Sequence, residues 1–378
     1  MRHRWDIFCK VIDNFGDAGV CWRLARQLAT DFHQEVRLWI DDLATLSCFT
    51  PELNCKDLVQ TVQDVKICSW QQLQMEFTCA DIVIEAFACD LPDIYIAAML
   101  ESDKHPLWIN LEYLSAEPWV ADYHLLPSPH PRLPLTKFFF FPGFTKGTGG
   151  LLRENALMEQ KNEFDEVVRQ TFMKQLGLYE KEPGSLWISL FCYADAPVAQ
   201  LLQVLFESAQ PILLIVPAGK VADRILEILK DAPIFGTRLI ASKHLSVQII
   251  PFLEQTEYDR LLWCCDINFV RGEDSFVRAQ WAAKLFIWNI YPQQEQAHFR
   301  KLDAFLELYT DRMTIPMAAA IREMWNCWNS RCAFNAGTWM NFLAFRESLM
   351  LHNESWVNQL MKQEDLATNL VQFVENRL

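Results

Sequence analysis

Two hydrophobic patterns alternate along the first part of the chain. Short apolar runs are separated by stretches in which apolar residues recur at helical spacing, as Leu24, Leu28 and Ala29 do. Such alternation is typical of an α/β unit, in which helices cover both faces of a parallel sheet. The pattern predicts strands at residues 5–9, 36–40, 65–68, 81–85, 107–110 and 137–141.

The same alternation starts again in the second half of the chain, after a glycine-rich segment at 142–152 and a polar, helix-rich stretch. It predicts strands at residues 186–191, 211–216, 247–252, 266–270 and 285–288, and helices at 196–208, 221–230, 256–264 and 275–283. From residue 317 onwards the spacing of apolar residues predicts mainly helices.

These patterns predict two Rossmann-like domains that face each other across a cleft, where open α/β sheets bind their ligands. We place the N-terminal domain at 1–152, a connector at 153–183 and the C-terminal domain at 184–350. The last segment, 351–378, is expected to be a helix that packs back on the N-terminal domain. This arrangement resembles the GT-B fold of glycosyltransferases. Periplasmic-binding folds, phosphorylases and sugar-nucleotide epimerases look similar at this level, so the fold alone does not give the function.

The chain is acidic, with a formal net charge of −14 at pH 7. A nucleic-acid-binding protein shows a basic face, so we expect no direct nucleic-acid partner. Asp6, Lys10 and Asp13 interrupt any apolar run behind the N-terminus, which argues against export. No run of about 18 uncharged apolar residues occurs, so we expect no membrane span and a cytoplasmic location.

The 12 cysteines show no C-x-x-C spacing. We therefore predict buried free thiols of a reducing compartment rather than disulfides or zinc ligands. The histidines also lack metal-ligand spacing, so no metal site is expected. The motifs GxSxG, GxxxxGK[ST] and GxGxxG do not occur, which weakens hydrolase, P-loop and NAD-binding hypotheses.

The strongest local pattern is RGEDSFVRAQWA, where a predicted strand turns into a helix. Arg271 and the helix start near Ser275 are suited to a phosphate, and Gly272 permits close backbone approach. Glu273 can instead accept hydrogen bonds from sugar hydroxyls, and Asp274 or Ser275 can cap the helix. An ordinary capped helix with surface charges is the alternative. We favour the phosphate site because these features coincide at the carboxyl end of a strand.

Aromatic and amide side chains follow other strands of the second half. Phe191 and Tyr193 lie at the end of its first strand, where either can stack on a nucleobase or simply fill the core. Phe252 and Gln255 follow another strand, and Gln255 can read a base edge or bond to a loop. Tyr291 lies beyond the last strand, where polar side chains often contact a sugar nucleotide.

Two carboxylates occupy the first strand-to-helix loop, where a phosphate-binding loop is often found. Asp13 taken alone fits a turn residue, and Asp17 taken alone fits a helix N-cap. Together they predict a negative pocket that suits a cation, above all a guanidinium, which pairs with carboxylates through parallel hydrogen bonds. One of them can then serve as a general base while the other orients the acceptor.

The sequence resembles the bacterial protein-arginine rhamnosyltransferases of elongation factor P, the EarP family. The resemblance rests on the segments DNFGDAGVCWRLARQL, FFPGFTKGTGGLLRE, LFCYADAP and RGEDSFVRAQWA. It implies a GT-B fold with an acceptor-side N-terminal domain and a nucleotide-sugar C-terminal domain. It also implies dTDP-β-L-rhamnose as co-substrate, a loop-tip arginine of elongation factor P as acceptor, inversion at the anomeric carbon, and neither cofactor nor metal.

The resemblance also implies roles for individual residues. Asp17 matches the general base and Asp13 its acidic partner, while Phe191 matches a thymine-stacking ring. The donor site matches Arg271, Glu273, Asp274 and Ser275, with Glu273 also counted as catalytic, and more weakly Tyr193, Gln255 and Tyr291. Phe252 is counted with the donor-binding residues from its place at the end of a predicted strand. Two other hypotheses remain: a GT-B sugar-nucleotide enzyme with a small-molecule acceptor, and a non-catalytic sugar-nucleotide-binding protein.

Overall fold

The chain divides into two units. The computed structural model describes residues 2–13, 15–75, 77–178, 181–235 and 238–378. Unit 1 comprises Met1–Asn155 together with Met361–Leu378, and unit 2 comprises Ala156–Leu360. The stretch at 153–183, expected to be a connector, therefore falls mostly within unit 2. No helix among the described residues is long and apolar enough to cross a membrane.

Unit 1 is built on an α/β alternation. Its strands are β1 Arg4–Cys9, β2 Glu35–Ile40, β3 Val59–Val62, β4 Val65–Ser69, β5 Ile82–Ala86, β6 Leu107–Leu111, β7 Pro127–Pro129 and β8 Thr136–Phe140. Its first helices are α1 Gly16–Thr30, α2 Leu43–Ser47, α3 Asp93–Glu101 and α4 Val120–Tyr123.

The sheet of unit 1 has the strand order β3-β4-β2-β1-β5-β6-β8-β7. Strands β4, β2, β1, β5, β6 and β8 are parallel to one another. Those at the centre of the sheet are buried on both faces, as their apolar runs predict. Strands β3 and β7 add antiparallel edges. The sequence pattern missed these two because they are short and partly exposed, with polar residues or proline in place of an apolar run.

Unit 2 repeats this architecture. Its helices are α5 Leu157–Glu163, α6 Glu166–Gln175, α7 Val198–Phe206, α8 Lys220–Ile228, α9 Gln255–Cys264, α10 Asp274–Ala282, α11 Ala297–Thr310, α12 Ile315–Trp328, α13 Ala336–Ala344 and α14 Arg346–Leu360. Its strands are β9 Leu186–Leu190, β10 Ile212–Pro217, β11 Ile234–Phe235, β12 Arg238–Ile240, β13 Leu245–Ile250, β14 Ile267–Arg271 and β15 Leu285–Asn289.

The sheet of unit 2 has the order β11-β12-β13-β10-β9-β14-β15. Strands β13, β10, β9, β14 and β15 are parallel, whereas β11 and β12 form an antiparallel edge. The carboxyl ends of β9, β14 and β15 therefore lie side by side. The predicted domain boundary at residue 350 falls inside α14, which belongs to unit 2.

The last helix, α15 Leu366–Glu375, belongs to unit 1 and is held there by the glycine-rich segment. The Leu366 N–H donates to the Leu151 carbonyl at 3.0 Å, and the Asn369 amide donates to Gly149 O at 3.0 Å. Gly150 has φ +77°, and a Cβ there would lie 2.4 Å from the Glu364 carbonyl oxygen. The segment at 142–152 thus provides a close-fitting surface for the returning chain.

One pair of cysteines departs from the predicted free thiols. Cys327 and Cys332 form a disulfide, whereas the other ten cysteines take part in none. Cys327 lies in the last turn of α12, and Ser330 adopts the left-handed conformation with φ +61°, which turns the chain back toward the helix. The prediction of free thiols was wrong here, because a local turn brings Cys332 close to Cys327 and the C-x₄-C spacing does not reveal that turn.

A buried ion pair joins the two helices of unit 2 that flank β14. The Arg278 guanidinium on α10 donates to both Asp259 carboxylate oxygens on α9, at 3.0 and 2.7 Å. We expect Arg278→Ala to lower the free energy of unfolding by about 3–5 kcal/mol, because it leaves the Asp259 charge buried without its guanidinium. Urea denaturation followed by circular dichroism measures the change.

The matched control is Arg169→Ala, which removes the exposed Arg169–Glu166 pair on α6 of the same unit. Water screens that pair, so the denaturation midpoint should stay close to that of the wild type. Equal destabilisation by the two substitutions would contradict a special role for the buried pair.

Candidate active site

The β1–α1 loop of unit 1 directs three successive backbone N–H groups at carboxylates of the chain itself. The Val11 N–H donates to Asp41 Oδ1 at 2.9 Å, and the Ile12 and Asp13 N–H groups donate to Asp17 Oδ2 at 2.8 and 2.9 Å. In a phosphate-binding loop such N–H groups hold the ligand. Here they stabilise internal carboxylates, so the loop is built around negative charge.

The structure places Asp17 within α1 rather than at its cap. The helix begins at Gly16 with Phe15 as the N-cap residue, so the N-cap alternative for Asp17 is wrong. The Gly16 N–H donates to the Asp13 carbonyl at 2.6 Å, which closes a turn, and Asp13 is buried beside it. A Cβ on Gly16 would lie 2.4 Å from Asp13 Oδ2, so the glycine makes room for that carboxylate.

Tyr113, which the sequence analysis did not single out, completes this site. Its hydroxyl donates to Asp17 Oδ1 at 3.1 Å, and its ring stacks on Phe87 with centroids 4.4 Å apart. Tyr113 follows β6 and Phe87 follows β5, at the same edge of the sheet as the β1–α1 loop. Its position after a parallel strand is the signal that could have identified it, once the strand order was known.

The Asp17 carboxyl is almost completely buried, with 2% of its surface exposed. Burial raises its pKa above the ordinary value, and the N–H groups of Asp13 and Ile12 and the Tyr113 hydroxyl oppose that shift. A carboxylate whose pKa is raised binds a proton more readily than an ordinary aspartate does. Asp17 therefore has the electrostatic character of a general base that is held in one orientation.

Arg271 lies at the centre of a second cluster, at the carboxyl ends of β9 and β14 in unit 2. Its guanidinium lies over the Phe191 ring at 4.3 Å and over the Tyr193 ring at 5.0 Å. It also donates from Nη1 to the Cys192 carbonyl at 3.3 Å. These contacts hold a cation against two aromatic rings.

Two further predicted rings join this cluster. The Phe252 ring is 6.3 Å from that of Phe191, and the Tyr291 ring is 5.6 Å from that of Tyr193. The structure thus brings together four aromatic residues that come from three separate loops. Because Arg271 covers one face of Phe191, a base that stacks on Phe191 has to use another part of the ring or displace the guanidinium.

The β14–α10 turn is closed by Ser275. Its hydroxyl donates to the Arg271 carbonyl at 2.5 Å and accepts from the Arg271 N–H at 3.0 Å, while Gly272 takes φ +59°. The helix begins at Asp274, and its N-cap residue Glu273 makes no side-chain cap bond. The expectation that Asp274 or Ser275 caps the helix was therefore wrong, because Ser275 fixes the turn instead.

Gln255 and Asp274 also meet in this part of unit 2. Gln255 is the buried first residue of α9, and its amide donates to Asp274 Oδ2 at 3.4 Å. The first turns of α9 and α10 are therefore linked beside the Arg271 cluster. Among the described residues, no group of three or more histidine, cysteine, aspartate or glutamate side chains is placed to hold a metal ion.

The two αβ units, each with a cluster at the carboxyl ends of its strands, have the architecture of the GT-B fold that glycosyltransferases share. The fold is shared with the structure of TcCGT1 in complex with UDP, at a TM-score of 0.51 and 9% identity over 100% of this chain and 99% of that one. That likeness concerns the fold alone.

The chain belongs to the family described as "Elongation-Factor P (EF-P) rhamnosyltransferase EarP", whose model matches residues 5–375. It is 43% identical to the protein-arginine rhamnosyltransferase of Pseudomonas aeruginosa over 98% of each chain, and 43% identical to that of Pseudomonas putida over 100% of each. A structure described as the basis for EarP-mediated arginine glycosylation of EF-P matches with a TM-score of 0.70 and 34% identity, over 100% of both chains.

The environment of Asp17 predicts its titration. Its carboxyl should titrate above the ordinary aspartate pKa, and Tyr113→Phe should raise the pKa further, because the variant loses a hydrogen bond to the charged form. Carbon-13 NMR of selectively labelled aspartate carboxyls measures both values. Asp42 is the internal control, because hydrogen bonds from Thr45 lower its pKa. An Asp17 midpoint at or below that of Asp42 would contradict this description.

Proposed function

We propose that this glycosyltransferase moves rhamnose from dTDP-β-L-rhamnose to an arginine side chain of EF-P, with inversion at the anomeric carbon. The observation that carries the proposal is the buried Asp17 carboxylate, held by the Ile12 and Asp13 N–H groups and by the Tyr113 hydroxyl. The family and the names of its relatives support rhamnose as the transferred sugar and an arginine of EF-P as the acceptor. Since EF-P is a translation factor, we place the reaction in the cytoplasm.

In this proposal unit 2 holds the donor. The Arg271 guanidinium and the first turn of α10 stabilise the diphosphate as negative charge develops on it, through charge-assisted hydrogen bonds and the helix dipole. Glu273, at the N-cap of α10, accepts hydrogen bonds from the sugar hydroxyls. Phe191 and Phe252 supply stacking surface for the thymine. The Phe191 ring lies against the Arg271 guanidinium, and the Phe252 ring lies against that of Phe191.

Five further side chains of unit 2 support the donor in this proposal. Tyr193 and Tyr291 line the cluster, with their rings in edge-to-face contact. Ser275 helps to position Arg271, since its hydroxyl bonds to the Arg271 N–H and carbonyl and so fixes the turn. Gln255 and Asp274, which are linked to each other, provide polar contacts beside the phosphates.

Unit 1 supplies the base. The arginine guanidinium carries a proton that it loses only above about pH 12, so attack requires a positioned acceptor for that proton. Asp17 meets this need because burial raises its pKa and its orientation is fixed. Asp13 lies next to it and orients the cation by charge.

The bonds change in one displacement. A guanidinium nitrogen attacks the anomeric carbon from the face opposite the diphosphate, a C–N bond forms, and the C–O bond to the diphosphate breaks. The nitrogen gives its proton to the Asp17 carboxylate, which later releases it to water. The products are α-rhamnosyl arginine and dTDP. Most of the acceleration comes from holding donor and guanidinium in line, because a delocalised guanidinium is a poor nucleophile.

The decisive experiment combines the protein with dTDP-β-L-rhamnose and EF-P and weighs EF-P by mass spectrometry. We expect the mass of one deoxyhexose to be added, and none when the loop arginine of EF-P is replaced by lysine. Donor consumption without EF-P would indicate a small-molecule acceptor or an isomerising enzyme. Donor binding without turnover would indicate a non-catalytic binding protein. Absence of the mass gain would overturn the proposal.

Asp17→Asn tests the base. The amide oxygen can still accept the N–H groups of Ile12 and Asp13, so the loop keeps its shape while proton acceptance is lost. We expect kcat to fall about 10²–10⁴-fold, the usual contribution of a general base, with donor affinity unchanged.

Asp42→Asn is the control for this substitution, because Asp42 caps α2 through Thr45 at the same edge of the sheet. It should keep kcat within about threefold of the wild type, as expected for a surface cap. Near-normal turnover of Asp17→Asn would show that another group takes the proton.

Arg271→Ala tests the donor site. It removes the guanidinium from the Phe191 and Tyr193 rings, and we expect the Kd for dTDP to rise at least about tenfold, as for the loss of a charge-assisted hydrogen bond. Titration calorimetry measures the Kd. Arg260→Ala, at an exposed position on α9, is the control that should leave it unchanged. Equal affinities for Arg271→Ala and wild type would place the diphosphate elsewhere.

A further inference from the structure

Asn289, the last residue of β15, joins the loops that carry the Arg271 cluster. Its Oδ1 accepts the Tyr193 N–H at 2.8 Å, and its carbonyl accepts the Gly272 N–H at 3.3 Å. Tyr193 and Gly272 lie on the two loops that flank the Arg271 guanidinium. A single buried residue therefore fixes the spacing of both loops.

Asn329 in turn fixes Asn289. Its Oδ1 accepts the Asn289 amide at 3.2 Å and the Ile290 N–H at 3.0 Å. Its own amide donates to the carbonyls of Trp288 and Trp325, at 2.7 and 2.9 Å. Two donated and two accepted hydrogen bonds satisfy all the capacity of this side chain. Neither end of the amide can be replaced by an aliphatic group without leaving buried polar atoms unsatisfied.

The end of α12 determines where Asn329 lies. The Ser330 N–H donates to the Cys327 carbonyl and the Arg331 N–H donates to that of Asn326, which together form a Schellman motif. Asn329 is the C-cap residue of this motif. The Cys327–Cys332 disulfide closes the same loop. The backbone of Asn329 is thus fixed independently of the Arg271 cluster.

We infer that Asn329 and Asn289 act as positioning residues for the nucleotide-sugar donor, through the Tyr193 loop, the Gly272 turn and the segment that leads to Tyr291. This inference rests on the proposed donor site. Tyr291 follows Ile290, whose N–H Asn329 holds, and its ring contacts that of Tyr193. Loss of either amide leaves Arg271 and the aromatic rings present. It removes side-chain bonds that hold the Tyr193 loop or the segment before Tyr291, while the backbone bond from Gly272 to Asn289 remains.

A purely structural role is the rival explanation, and the same strand offers a matched control. Asn353 on α14 is also buried and bonds at the amino end of β15, where its amide donates to the Lys284 carbonyl at 2.7 Å. It also accepts from the Tyr309 hydroxyl. Asn353→Ala should therefore lower stability as Asn329→Ala does, without touching the loops of the Arg271 cluster.

The experiment measures the affinity for dTDP by titration calorimetry, and KM and kcat for the donor, in Asn289→Ala, Asn329→Ala, the double variant and Asn353→Ala. We expect Asn329→Ala and Asn289→Ala each to weaken dTDP binding and raise KM about tenfold, the equivalent of roughly one hydrogen bond. kcat should stay within about threefold. The double variant should bind dTDP about as tightly as the weaker-binding single variant, because both substitutions interrupt the same chain of hydrogen bonds.

The outcomes separate the inference from the function on which it rests. If the wild type does not bind dTDP, the proposed donor is wrong. If the wild type binds and Asn329→Ala binds equally well, the inference fails while the proposed donor stands. If Asn353→Ala weakens binding as much as Asn329→Ala, or if the single effects add fully, the positioning role is overturned. Should Asn329→Ala not fold, Asn289→Ala decides, since it removes the bond to Tyr193 and leaves the bonds from Asn329 to Trp288 and Trp325 intact.

Discussion

The Asp17 carboxylate accepts hydrogen bonds from two backbone N–H groups, and the unit 1 site depends on this interaction. Parallel strands end together at one edge of a sheet, and the loops that leave them carry N–H groups that need acceptors. In many α/β proteins a phosphate fills that need. Here Asp17 and Asp41 fill it, so the loop keeps a carboxylate buried and oriented. The same bonds that close the loop thereby give Asp17 its fixed position.

The two units use the same edge of an α/β sheet for opposite charges. Unit 1 surrounds the start of α1 with Asp13, Asp17 and Asp41, whereas unit 2 places Arg271 before the start of α10. A negative site suits a guanidinium, and a positive site at a helix start suits a diphosphate. In the proposed reaction, unit 1 therefore supplies the acceptor chemistry and unit 2 the donor chemistry.

Buried amides and hydroxyls hold the two clusters in shape. Tyr113 orients Asp17 from β6, Ser275 closes the Arg271 turn, and Asn329 acts on the Tyr193 loop through Asn289. Each of these groups bonds to backbone or to another side chain rather than leaving a polar atom unsatisfied in the interior. The residues of both clusters therefore lie where strands end and helices begin, and these bonds tie them to neighbouring strands and helices.

The sequence by itself determined where the buried parallel strands of both units lie along the chain, since apolar runs mark such strands and helical spacing marks the segments that cover them. It did not predict the short edge strands β3, β7, β11 and β12. It also singled out Asp13, Asp17 and the RGEDS segment as candidate site residues, because they lie where predicted strands end. Only the tertiary structure decided that Tyr113 bonds to Asp17, that Asn289 and Asn329 meet, and that Arg271 lies over Phe191. Those partners are far apart in the chain. Their contacts follow from strand order and loop conformation, which local pattern does not specify.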